Sequence, residues 1–155
     1  MYKIKQFVNS EVCLKCRGCC RFNSRLWIPC LLKQDKQNLK IQAISAHKNG
    51  DNYRCPFLIQ DNNHCRVYKL RPLECRLYPY LLNRCGESLD LVAHLACPYL
   101  QDNLSSKAFD EYCRDLTRFF KDPEVLSMLK AEWESLRCYP QDEILVIEKD
   151  ILAKD

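Results

Sequence analysis

Eight residues, Cys13-Leu-Lys-Cys16-Arg-Gly-Cys19-Cys20, hold four thiols. A two-residue gap lets two sulfurs of one tight turn converge on a single ion, which is why this spacing recurs in zinc and iron–sulfur sites. One such pair is a weak signal; a repeated pair with an adjoining cysteine is a strong one, and Gly18 gives the backbone freedom to turn. Neighbouring Cys19 and Cys20 point in different directions in most backbone conformations. They are expected either to serve different centres or to supply one ligand between them. Cys55-Pro56, Cys65, Cys75 and Cys97-Pro98 bring the set to eight, enough for two four-thiolate sites. The run also echoes bacterial ferredoxins, although the x3-Cys-Pro continuation after Cys19 is missing.

Four more cysteines, Cys30, Cys85, Cys113 and Cys138, make twelve in 155 residues. The first residues, Met1-Tyr-Lys-Ile-Lys-Gln-Phe-Val8, contain neither an apolar h-region nor a small-residue cleavage site. The expected location is therefore the reducing cytoplasm, where structural disulfides are rare. Thiols kept reduced there are an oxidation liability unless a metal holds them, and thiolates are good soft ligands. No apolar run approaches the roughly 20 residues of a membrane span, so no membrane association is expected. A charged fraction of 28% with 8 Tyr, 6 Phe and 2 Trp is that of a globular chain. The length fits one domain, expected over residues 1–155.

Charge is uneven. Residues 1–85 carry 16 Lys and Arg against 5 Asp and Glu, and residues 86–155 carry 8 against 15. One reading is that a basic cysteine-rich half docks on an acidic helical half. A second is that the bases offset metal-bound thiolates. Nucleic acid is the least favoured partner, because the basic residues are scattered among cysteines and form no stripe. A protein partner or substrate is left open.

Patterning gives an α+β fold, with a cysteine-rich region at 13–98, built of short β-hairpins and turns, packed on a C-terminal helical pair at 105–139. Tyr2–Val8 reads as a short strand, Ser10 as a cap, Arg25–Leu32 as extended with Trp27 and Ile28 as core candidates, and Gln34–His47 as a short helix followed by an extended stretch or loop ending near Gly50 and Asn52. Asp61-Asn-Asn-His64 and Cys85-Gly-Glu87 read as hairpin turns. Arg71-Pro72 opens a helical turn to Leu77. Ser105 or Ser106 caps a helix to Phe120, and Asp122-Pro123 starts another whose stripe runs to Leu136. Ile144–Ile147 reads as a last strand.

The sequence resembles the YkgJ-type cysteine-cluster family, described as zinc- or iron-chelating. The resemblance rests on Cys13-Leu-Lys-Cys16-Arg-Gly-Cys19-Cys20-Arg21, Cys55-Pro56-Phe57-Leu58, Cys65-Arg-Val-Tyr68-Lys-Leu-Arg71-Pro72, Glu74-Cys75-Arg-Leu-Tyr78-Pro79 and Cys97-Pro98. It implies metal chelation by Cys13, Cys16, Cys19, Cys20, Cys55, Cys65, Cys75 and Cys97, and no settled reaction. A related cluster occurs in flagellin lysine N-methylases, but no methyl-donor site is identifiable in this chain.

Outside that pattern, Cys113 on the helical stripe and Cys138 after a helix are read as buried. Cys30 and Cys85 are read as partly exposed thiols. Arg71 and Arg76 are candidates to bond thiolates or an anion. His64 is read as an exposed turn residue, and His47 and His94 suggest no catalysis. No phosphate loop, Rossmann fingerprint or Ser-His-Asp order occurs, so no catalytic residue is assigned. Zinc and iron–sulfur clusters both accept four thiolates. The ferredoxin-like spacing and the Cys-Pro pairs tilt the expectation towards an iron–sulfur cluster, in one or two centres, serving electron transfer or a modification enzyme; a zinc-stabilised adaptor is the alternative.

Overall fold

Helix α1 (Ser10–Lys15) starts where Asn9 accepts the Glu11 N–H at 2.9 Å. Asn9 is thus the cap, and the expected Ser10 is the first helical residue. The computed structural model describes residues 4–16 and 18–153, arranged as an α+β chain in two compact units, Met1–Leu77 and Tyr78–Asp155. That boundary falls inside the 13–98 region read from sequence as one.

In the first unit, the strand expected over Tyr2–Val8 is absent from residues 4–8, and residues 2 and 3 lie outside the described ones. A strand needs a partner edge. This segment instead meets the 68–71 turn, where Gln6 Oε1 accepts from Arg71 at 2.9 Å. Strand β1 (Arg21–Phe22) follows. Arg25–Leu32, expected as extended, begins as a 3-10 turn over Arg25–Trp27. Pro29 lacks the N–H that a ladder requires there.

Helix α2 (Lys33–Leu39) is the expected short helix. Its Asp35 is 1% exposed and accepts from the Leu32 N–H at 3.1 Å and the Leu73 N–H at 3.2 Å. One buried carboxylate therefore ties the start of α2 to that of α3 (Leu73–Leu77), the turn that Pro72 opens.

Strands β2 (His47–Asn49) and β3 (Asn52–Arg54) pair antiparallel across a two-residue loop, with β1 on the other side of β3. Gly50 takes φ +61° in that loop, a left-handed value that glycine adopts without a Cβ penalty. Phe22, Leu31, Ile44, Cys55 and Leu58 form the core, flanked by Trp27 and Ile28 as the sequence anticipates. The expected hairpin around residues 61–64 shrinks to one bridge, Leu58–Cys65. Asn62 Oδ1 accepts the His64 N–H at 3.0 Å, which makes the turn. A 3-10 turn at Tyr68–Leu70 then takes the chain away from the ladder.

The second unit is more regular. Strands β4 (Tyr80–Cys85), β5 (Ser88–His94) and β6 (Ile144–Ala153) form an antiparallel sheet in that order. Gly86, at φ +64°, opens the expected β4–β5 turn. Strand β6 is longer than the expected Ile144–Ile147, because a bulge hides its second half from the alternation. Leu91 pairs Glu148 while Leu89 pairs Leu152, and Asp150 sits in the irregularity at φ +52°. The Asp150 N–H donates to Asp90 Oδ1 at 2.9 Å, and the Ser88 hydroxyl donates to Asp150 at 2.6 Å.

Helix α4 (Pro98–Asn103) has no counterpart in the sequence reading. Helix α5 (Lys107–Phe120) begins where Ser106 accepts the Phe109 N–H at 3.1 Å. It buries Phe109, Tyr112, Leu116 and Phe120 and packs on β6 and on α6 (Pro123–Ala131), which Asp122 caps. Helix α6 is shorter than its stripe, since Trp133 belongs to a separate 3-10 turn, Trp133–Ser135.

Candidate metal centre

Five devices bring cysteines together in the first unit. Helix α1 carries Cys13 and ends at Cys16, whose N–H bonds the Val12 carbonyl at 2.9 Å. Gly18 passes close to Cys16: a Cβ built at residue 18 would lie 3.6 Å from Cys16 Sγ. The chain then turns, with the Arg21 N–H on the Gly18 carbonyl, and delivers Cys19 and Cys20 to the start of β1. The Cys20 carbonyl accepts the Cys55 N–H at 2.9 Å, so the entry to β1 and the exit from β3 hold two cysteines side by side. Cys65 enters through its bridge to Leu58, and Cys75 through α3.

The electrostatics show that these thiols share one neighbourhood. Cys19 hydrogen-bonds both Cys13 and Cys20. That bond, first among the causes, draws Cys13 down to about 6, with the charge and hydrogen bonds of Arg71 and a hydrogen bond from Gln6 adding to it against burial. Cys20 is lowered in the same way, with Arg21 and Arg71 contributing. Cys19, bonded to both, is pushed well above its ordinary range. Burial raises Cys55 to about 11, and the charges of Cys20 and Cys65 add to it. Burial likewise raises Cys65 and Cys75, and Cys75 also feels Cys20, Cys55, Glu74 and Cys65.

Arg71 is held for this task. Its guanidinium lies 3.6 Å from the Tyr68 ring centroid, its Nε–H donates to the Tyr68 carbonyl at 2.9 Å, and a terminal NH2 donates to Gln6. Of the two arginines named from sequence, Arg71 is thus the one whose charge reaches Cys13 and Cys20. Tyr68 and Arg71 are three residues apart, a local signal. Gln6 could not be found this way, because about sixty residues separate it from its partners.

Cys30 is occupied otherwise: its N–H and S–H donate to the Glu74 carboxylate at 2.7 and 3.2 Å. Glu74, absent from the sequence candidates, thereby ties the loop after Trp27 to α3. His64 and His47 are exposed.

Cys97 belongs to the second unit, where it is the buried N-cap residue of α4 and one of the charges felt by Tyr80. Cys113 is half-buried, with its S–H 3.9 Å from the Tyr80 hydroxyl, rather than fully buried as expected. Its place on α5 is off the axis of the buried stripe. Cys138, expected buried, is exposed. The helix ends earlier than its stripe, and Cys138 lies on extended chain whose next residue, Tyr139, turns inward at 3% exposure. His94 is buried, with Nδ1 3.1 Å from the Tyr78 hydroxyl, and burial draws it down to about 4.

Among the described residues, no group of three or more His, Cys, Asp or Glu side chains is already arranged to hold a metal ion. What fits a metal is the chemistry of the donor set. Five thiols, Cys13, Cys19, Cys55, Cys65 and Cys75, each interact with a sixth, Cys20. Four of them have their thiolate form disfavoured, which a bound cation would reverse. This is the equipment of a metal-chelating cysteine-cluster protein. The profile of the CxxCxxCC family, described as "Putative zinc- or iron-chelating domain", matches residues 12–114, and the chain belongs to that family. No curated protein and no solved structure matches it. Among the described residues, no helix is long and apolar enough to cross a membrane.

Proposed function

We propose that the first unit holds an iron–sulfur cluster through cysteine thiolates and acts as an electron-transfer or accessory component of a modification enzyme. The observation that carries this reading is the gathering of six thiols around Cys20 and Arg71. Tetrahedral zinc takes four ligands, so six sulfurs in one neighbourhood exceed what one zinc uses. Adjacent Cys19 and Cys20 both take part, which suits a centre with more than one metal atom. The Arg71 guanidinium supplies positive charge and N–H donors beside Cys13 and Cys20, and such groups set the potential of a cluster. When bound, the cluster would supply one-electron chemistry; the protein's part is to position the thiolates, exclude water and offset charge.

The alternative is a zinc-stabilised adaptor without catalysis. The slight architecture of this unit supports it, since a structural metal adds folding energy where a core is small. Purification without air, followed by metal analysis and a visible spectrum, separates the two. Iron with acid-labile sulfide and a brown colour is expected. A colourless protein holding only zinc would overturn the first reading in favour of the second. A protein that takes up neither metal on anaerobic reconstitution would overturn both.

A further inference from the structure

Two exposed cysteines of the second unit lie outside the family pattern and meet in space. Cys85 ends β4, just before the Gly86 turn, and Cys138 lies 53 positions further along. The segment after the Trp133 turn runs beside β4 as a short parallel bridge, Asn83 with Arg137. Three further contacts hold it there. The Arg84 N–H bonds the Arg137 carbonyl at 2.7 Å, the Tyr139 N–H bonds buried Asn83 Oδ1 at 2.8 Å, and the Arg84 guanidinium bonds the Trp133 carbonyl at 3.0 Å. These bonds bracket Cys138 on both sides and set its side chain against that of Cys85, to which it hydrogen-bonds. Both thiols are exposed, and both sit next to arginines, Arg84 and Arg137.

We propose that Cys85 and Cys138 form a dithiol site that exchanges with low-molecular-weight disulfides of the glutathione class and closes into an intramolecular disulfide. The site is independent of the metal reading of the first unit. Cys85, beside the open Gly86 turn, is the attacking sulfur, and Cys138, held between the backbone hydrogen bonds of Arg137 and Tyr139, is the resolving one. The Cys85 thiolate attacks one sulfur of the small disulfide. A Cys85–glutathione bond forms, the glutathione S–S bond breaks, and one glutathione thiolate leaves. Cys138 then gives up its proton and displaces the second glutathione from Cys85. The two protein thiols together lose two electrons and two protons, and the small disulfide is reduced to two thiols. The product links the end of β4 to the segment that follows α6.

The test treats the full, metal-loaded chain with oxidised glutathione, blocks remaining thiols by alkylation, and maps peptides without reduction by mass spectrometry. The expected product is a single cross-link between the Cys85 and Cys138 peptides, lighter by two hydrogens and reversed by dithiothreitol. Because the second displacement is intramolecular, the glutathione adduct should stay below about a tenth of the cross-linked product. Cys138→Ser should trap a lasting adduct on Cys85, and Cys85→Ser should leave Cys138 slower to react by several-fold. Adducts on both cysteines without a cross-link in the wild-type chain would overturn the proposal. So would equal cross-linking to Cys113 or to a cysteine of the first unit, or a covalent dimer as the main product.

Discussion

The first unit is made of strands of two or three residues and helices of five to seven. The second has strands of six, seven and ten residues and a helix of fourteen. Short elements bring few ladder bonds and little apolar contact, and a cysteine, Cys55, sits in the core cluster of the first unit with Phe22, Leu31, Ile44 and Leu58. In the second, Tyr80 stacks on Phe109 and tilts against Tyr112, while Leu89, Leu91, Leu100, Phe120 and Leu129 are fully buried. The first unit gathers thiols around Cys20, while Cys85 and Cys138 of the second are exposed and Cys113 packs half-buried beside Tyr80. The lesson is about where stability comes from. Thiols that lie together with depressed and raised pKa values side by side would be stabilised by a cation, which a conventional core does not need.

The largest effect expected from this contrast is that of metal removal. Metal-binding free energy in small thiolate sites is also folding free energy, on the order of 10 kcal/mol or more. Chelation should erase amide hydrogen-exchange protection in residues 4–77 and leave the β4–β5–β6 sheet protected. Equal loss in both units would break the comparison. Cys75→Ser should come next. It replaces a half-buried soft thiol with a hydroxyl that is neutral at pH 7, and most of the metal per folded chain should be lost on elemental analysis. Full retention would remove Cys75 from the ligand set.

Phe120→Ala should act the other way. It removes a fully buried ring from the second unit at a cost of about 3–5 kcal/mol, with metal content unchanged. Denaturant unfolding followed beside metal analysis checks both parts.

A smaller effect is pH-dependent. Burial holds His94 at about 4, below its ordinary 6.5. The unfolded chain then binds a proton that the folded chain does not, so the stability of the second unit is full above pH 6.5 and falls as pH drops towards 4. Glu143, 3.9 Å from Nε2, works against that loss, which should be about 1–3 kcal/mol. His94→Gln should flatten the slope in unfolding scans at stepped pH; an unchanged slope would assign it to other groups. The smallest change expected is Cys113→Ser. The thiol is half-buried and points at the Tyr80 hydroxyl, so a serine there still finds a partner, and the cost should be under about 1 kcal/mol with metal retained. A larger loss of stability would place Cys113 in the core after all, and a loss of metal would undo the division between the units.

Local signals carried a good part of this molecule. The Ser106 and Asp122 caps, the Gly86 turn and the Pro72 turn stand where the residues place them, because a cap or a tight turn is decided by side chains within three or four positions. Signals failed where partners are remote. The strand expected over Tyr2–Val8 is absent from residues 4–8, where Gln6 bonds the remote Arg71, and β6 outran its pattern because Asp150 is accommodated by a bulge against Asp90. Cys138 was misplaced because α6 ends at Ala131, short of the stripe that continues to Leu136.

By itself the sequence determined that four cysteines, Cys13 to Cys20, fall within eight residues and that the family is a metal-chelating one. Those facts follow from residue type and from spacings of one to three residues, over which steric limits leave the backbone few conformations. Only the tertiary structure decided which distant cysteines join that group. It brought Cys55, Cys65 and Cys75 to Cys20, gave Cys30 to Glu74, and put Cys97 in the second unit. It also set Arg71 between Gln6 and Tyr68 and laid Cys138 against Cys85. Contacts across some fifty residues depend on how whole elements pack and pair, and a single Cys-Pro or Arg-Pro step is the same string whichever partner the fold brings to it.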